Sequence, residues 1–155
     1  MSHWSDLNYY PAFPDNNASK PIYFETPGLE PAAVLGSRHV LLIWDNDRGG
    51  TLVHQVMQLT GIPSRYFYDT SPVAKLRNPA TRPLNTYISL GTFTRAQRDA
   101  ILELAKAVPY DPASYINGCQ VWTRDLLQAM IAHGYLAEST FRQIEAVVPL
   151  IHRRA

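Results

Sequence analysis

His39-Val40-Leu41-Leu42-Ile43-Trp44, then Asp45-Asn46-Asp47-Arg48-Gly49-Gly50, then Thr51-Leu52-Val53-His54-Gln55-Val56-Met57-Gln58-Leu59 is the stretch on which the fold turns. Its first run is almost wholly apolar and β-branched or aromatic at its end, the signature of a strand covered on both faces and so central in a sheet. Asp, Asn and paired Gly residues then favour a turn, because they tolerate the tight backbone and bond to it locally. The second run returns as a strand, which makes the whole an antiparallel hairpin.

Outward from this hairpin, Pro21-Ile22-Tyr23-Phe24-Glu25-Thr26 reads as a short strand ended by Pro27-Gly28. Ser64-Arg65-Tyr66-Phe67-Tyr68-Asp69 reads as an aromatic strand, residues 71–83 with Pro72, Pro79 and Pro83 as a surface loop carrying Lys75, Arg77 and Arg82, and Leu84 to Leu90 as the last strand before Gly91. Helical spacing then takes over. Thr94 and Gln97 have capping-box spacing ahead of Ala100, Ile101, Leu104, Ala105 and Val108, and Pro109 and Pro112 end that helix. A second helix starts near Cys119 and runs through Trp122, Leu126, Leu127, Met130 and Ile131 to His133, with Gly134 as its left-handed terminator. A third is expected to be capped at Thr140 with Gln143 and to end near Pro149. Strands first and helices after predict an α+β domain, with helices packed on an antiparallel sheet, over residues 20–155. Residues 1–19, rich in Pro, Asn, Asp and aromatics (Trp4, Tyr9, Tyr10, Phe13), read as an irregular arm, either a strap over the core or a wall or lid on a pocket.

Composition excludes several classes of function. With 14 basic against 13 acidic residues and a net charge of +1 there is no phosphate-neutralising face, so no nucleic-acid partner is expected. No apolar stretch has membrane-spanning length, and Met1-Ser2-His3-Trp4 lacks a secretory pattern, so the expectation is a cytoplasmic protein with no membrane partner. A lone cysteine makes no internal disulfide, which fits a reducing compartment.

That cysteine, Cys119, sits where a helix begins, in Tyr115-Ile116-Asn117-Gly118-Cys119-Gln120-Val121-Trp122. Unpaired backbone N–H groups and the positive end of the helix dipole favour thiolate there. The hairpin supplies His39 and His54, one on each strand. A pairing register with an odd residue sum sets them on one face and an even sum on opposite faces; sequence leaves this open. On one face, Cys119 would be nucleophile, one histidine its base, the other the group that orients the base, and helix-start N–H groups the oxyanion stabilisers. Zinc on His39, His54 and Cys119 is the lesser alternative, without CxxC, HExxH or HxH spacing, so no cofactor and no metal is expected. Gly49-Gly50 lacks phosphate-loop spacing, and His3, His133 and His152 lie in an arm, a helix end and a tail.

The strand histidine His39, the turn, Gly50-Thr51-Leu52-Val53-His54, and the later Asn117-Gly118-Cys119-Gln120-Val121-Trp122 together resemble the circularly permuted NlpC/P60 superfamily, which includes lecithin:retinol acyltransferase-like and PPPDE-like proteins. Gly118 stands between Asn117 and Cys119, a departure from the Asn-Cys pattern of that group. The resemblance covers roughly residues 37–133. It implies a papain-like core, His39 as base for Cys119, and His54 in the third, orienting position. It also implies acyl-thioester chemistry, as a hydrolase or acyltransferase. Without leader or anchor, the expected substrate is a small amide, ester or thioester, in specialised biosynthesis. Gln120, Asn117, Tyr115, Trp44 and Trp122 are the candidate oxyanion and pocket residues. The competing expectation is a papain-like binding or interaction module in which Cys119 is merely buried.

Overall fold

The computed structural model describes residues 7–27, 39–47 and 52–153. Among the described residues seven strands come first: β1 (Lys20–Pro27), β2 (Leu41–Asp45), β3 (Val53–Met57), β4 (Thr60–Ile62), β5 (Arg65–Phe67), β6 (Ala74–Leu76) and β7 (Asn85–Phe93). Three helices follow, α1 (Arg95–Ala107), α2 (Cys119–Ala132) and α3 (Glu138–Val147). Five strands make one antiparallel sheet in the order β6-β3-β2-β1-β7, and β4 with β5 makes a separate two-stranded ribbon. This is the α+β arrangement expected, with the apolar run of β2 at its centre.

The two-residue alternation of the strands sorts their side chains onto two faces. Ile22, Phe24, Leu42, Trp44, Met57 and Ile88 belong to the main core, together with Ile101 and Ala105 of α1, Trp122, Leu126 and Met130 of α2, and Ile144 of α3. Leu41, Ile43 and Val56 face the other way and form a smaller cluster with Tyr23, Val73 and Tyr87. Trp122 packs its ring 4.7 Å from that of Tyr68, a tilted aromatic pair that fixes α2 against the segment after β5.

Local chemistry accounts for the helix ends. Thr94 and Gln97 form the reciprocal capping box at α1, and the Pro109 barrier leaves α1 ending at Ala107. Gly134 follows α2 at φ 80°, with its N–H bonded to Ile131 O at 3.0 Å. Two expectations need correction. Residues 71–83 are not all loop: Ala74–Leu76 is an edge strand paired with β3, and Pro79–Leu84 is a 3-10 helix capped by Asn78. Short pieces of this kind carry too few alternating positions to stand out in sequence, and Pro79 sits where a helix start tolerates proline. Thr140 does not cap α3; the helix starts at Glu138 after Ala137, so Thr140 lies inside it.

The arm of residues 7–19 is tied down at several places, among them a bond that Asn46 Nδ2–H donates to Phe13 O at 3.0 Å. Tyr9 N–H donates to Ala74 O at 2.7 Å, and Asn8 Oδ1 accepts from Ala74 N–H at 2.9 Å, so the arm continues the sheet beyond β6. Farther on, buried Arg98 of α1 uses all five of its N–H donors: a bidentate pair to Asp15 at 2.9 and 3.0 Å, and bonds of 2.8 Å to the carbonyls of Asn16, Ala18 and Phe93. Lys20 Nζ adds a 2.7 Å contact to Asp15. Trp4 and His3, and residues 48–51 of the expected turn, lie outside the described residues.

Candidate active site

α2 begins after Gly118, which has no side chain to cap the helix. Cys119 is there, half-buried. Burial alone would push its thiol up. A hydrogen bond and the charge of His39, together with the backbone N–H groups of Val40 and Gln120, outweigh burial and hold the thiol below its ordinary value. The reciprocal holds for His39. Burial favours the neutral ring, but Cys119, the side chain of Gln58 and the more distant Glu25 charge carry its pKa above the ordinary histidine value. The two groups therefore stabilise one another as thiolate and imidazolium.

His39 lies just before β2, where the chain is not held to strand alternation, and its ring reaches the helix side. Its Nε2 is 2.6 Å from Gln58 Oε1. An amide oxygen only accepts, so Nε2–H donates, and Nδ1 is the nitrogen left for the thiol. Gln58 follows β3 directly and so presents its amide at the same end of the hairpin as His39.

His54 is elsewhere. The β2–β3 register runs Leu42↔Met57 through Asp45↔His54, an odd sum, as co-facial histidines require. But the partner of His54 is Asp45, six residues along from His39, roughly 20 Å of extended chain. His54 is buried on the face of Leu41, Ile43 and Val56, away from α2, with Nδ1 2.9 Å from Asp45 Oδ1. The structure thus brings His39 to Cys119, leaves His54 apart, and puts Gln58 where an orienting group belongs. Among the described residues no three His, Cys, Asp or Glu side chains cluster so as to hold a metal ion.

A cleft of about 610 Å³ opens over the thiol. Of the pocket candidates, Tyr115 and Gln120 line it. Trp44 and Trp122 do not; both are in the core, Trp44 beneath the Arg98 guanidinium at 5.8 Å. Asn117 is half-buried in the preceding loop, its N–H bonded to Ser114 Oγ at 3.1 Å, outside the lining.

The far wall is the β4–β5 ribbon, whose aromatic run is by sequence a candidate cleft lining; of it, Tyr66 lines the cleft. The ribbon is stitched to the loop before α2 by Ser64 N–H to Ser114 O at 2.7 Å and Tyr66 N–H to Pro112 O at 2.9 Å. This places the Tyr66 hydroxyl over the helix start, so close that a Cβ on Gly118 would lie 2.8 Å from it. Burial and the Cys119 charge both raise the Tyr66 pKa, keeping the phenol protonated and able to donate beside the thiol. This approach, not the backbone angle, is what favours glycine at 118, since its φ is −96°. Gly118 was legible only as a departure from the Asn-Cys pattern; here it is the space that the Tyr66 hydroxyl occupies.

Comparison with known protein families, with curated proteins and with solved structures finds no match. No helix among the described residues is long and apolar enough to cross a membrane.

Proposed function

We propose that this protein is a cysteine-dependent acyl-chemistry enzyme, a hydrolase or acyltransferase acting on a small amide, ester or thioester through an acyl-thioester intermediate. One observation carries the reading: His39 is held between Gln58 and a helix-start cysteine at the floor of a cleft. Nucleophile, base and base-orienting group are the minimum that thiol catalysis needs. An antiparallel sheet with the cysteine helix packed on it also supports the likeness to permuted NlpC/P60 proteins, with Gln58 rather than His54 in the third position.

The chemistry follows from the geometry. Cys119 Sγ attacks the acyl carbon, and the helix start with the nearby Tyr66 hydroxyl receives the charge that develops on the carbonyl oxygen. As the C–S bond forms and the bond to the leaving group breaks, the His39 proton passes to the leaving atom. Water or an acceptor alcohol or amine then gives a proton to His39 and attacks the thioester, the C–S bond breaks, and the thiolate returns. Gln58 keeps the His39 ring in one tautomer throughout.

The test is the pH dependence of iodoacetamide alkylation, followed by intact mass, in wild type and His39→Ala. An ordinary thiol, with a pKa of about 8.5, is under 1 % thiolate at pH 6, so it alkylates there on the order of a hundredfold more slowly than at its plateau. Wild type should retain much more of its plateau rate at pH 6, and His39→Ala should move the profile toward the ordinary thiol. Ordinary behaviour in wild type, or no shift in the variant, would overturn the proposal and favour a binding module with a structural cysteine.

A further inference from the structure

We infer that the acyl group carried on Cys119 is uncharged and apolar, an alkyl chain of several carbons; this rests on the acyl-thioester reading above. The cleft is mixed in polarity. Its polar groups, His39, Gln120 and the Tyr66 hydroxyl, gather at the thiol end. The rest of the lining comprises Leu59, Ile62, Pro63, Ile116, Val121 and Ile151 with Tyr115 and two glycines, and among the described residues it contains no Asp, Glu, Lys or Arg. A carboxylate or ammonium on the acyl chain would lose water there without gaining a counter-charge, which is costly.

The rim points the same way. Ile62, Tyr115 and Ile116 are 62 %, 75 % and 44 % exposed, large apolar side chains left in water around one opening. A seated alkyl chain would cover them, and the volume is in the range of pockets that enclose small ligands. The remaining wall comes from Ile151, after α3. It is held in place by its neighbour Arg153, which bonds Asp125 Oδ2 at 2.8 Å and Pro109 O at 2.6 Å. Three separate segments, the ribbon, the loop before α2 and the tail, thus each contribute an isoleucine to one cleft.

The experiment measures p-nitrophenolate release from p-nitrophenyl acetate, butyrate, hexanoate and mono-p-nitrophenyl glutarate, with Cys119→Ala as background. Each step forms the Cys119 thioester and expels p-nitrophenolate; water then releases the acid. Burying each added methylene predicts roughly a fourfold gain in kcat/KM, on the order of a hundredfold from acetate to hexanoate, with glutarate below butyrate. Ile116→Asp should collapse the hexanoate-to-acetate ratio, and Ile116→Leu, which keeps the apolar wall, should preserve it. Thiol-dependent release with a flat series, or with glutarate preferred, overturns the apolar-acyl inference and leaves the thiol enzyme standing. No thiol-dependent release from any ester, with an ordinary alkylation profile, overturns both.

Discussion

Replacing Arg98 with Met keeps most of the side chain's length and its packing near Trp44, and removes the five donors that the guanidinium supplies. Asp15, with its side chain 2 % exposed, is left with Lys20 and the more distant Arg95 as its cations, and the buried Phe93 carbonyl loses a bond, while the carbonyls of the exposed residues Asn16 and Ala18 can turn to water. Removing one partner of a buried ion pair costs about 3–5 kcal/mol. An orphaned buried carbonyl adds about 1–3 kcal/mol, partly counted in the same figure. A loss of about 4 kcal/mol is therefore expected, a large share of the roughly 5–15 kcal/mol that keeps a domain folded. With a urea slope of about 2 kcal/mol/M the unfolding midpoint should fall by about 2 M. Limited proteolysis should meanwhile show new cleavage within residues 7–19. A midpoint within 0.5 M of wild type, with the arm still protected, would show that the arm is held by something other than this guanidinium.

Three further outcomes follow from the same contacts. Asp15 is pushed up by burial but pulled further down by Arg98 and Lys20, so its net pKa is lowered and its stabilisation is present above the ordinary Asp value of about 3.9 and lost as pH falls through the folded value. Asp15→Asn should thus be most destabilised at neutral pH and converge on wild type in acid denaturation; a constant deficit across that range would contradict the linkage. Gln58→Leu removes a hydrogen bond to a charged ring, worth about 1.5–3 kcal/mol, and should move thiol alkylation toward higher pH, in the same direction as His39→Ala; an unchanged profile would remove Gln58 from the site. Gly118→Ala should displace the Tyr66 hydroxyl at a stability cost under about 1 kcal/mol, because the atom that yields is the end of a side chain. Its loss of p-nitrophenyl acetate turnover should not add to that of Tyr66→Phe, whereas additive losses would mean the two residues act apart.

The central strand, the hairpin and the three helices could be read from sequence because each has its own strong local signal: the apolar run of β2, the capping box at Thr94, the terminator Gly134. Cys119 and His39 were legible for the same reason, as a thiol at a helix start and a histidine at a strand entry. Gln58 was not, because orientation of a base is a matter of register. Both Gln58 and His54 have the parity to share a face with His39, and only the observed offset, Asp45 opposite His54, decides between them. The tryptophans were misleading as pocket residues: Trp44 and Trp122 fill the core, as large rings on alternating and helical faces commonly do. The actual lining comes from isoleucines of a two-stranded ribbon, a loop and a tail, whose convergence depends on backbone bonds such as Ser64 to Ser114 that no local pattern announces.

The His39–Cys119 contact joins residues about eighty apart, one at the entry to the central strand and the other at the head of a helix from the other half of the chain. Neither half contains an activated thiol by itself. Contacts of such long sequence separation form only once the intervening chain has been ordered. Reactivity of Cys119 at mildly acidic pH is therefore also a clock for folding: it should switch on when the helices dock on the sheet, after secondary structure has formed.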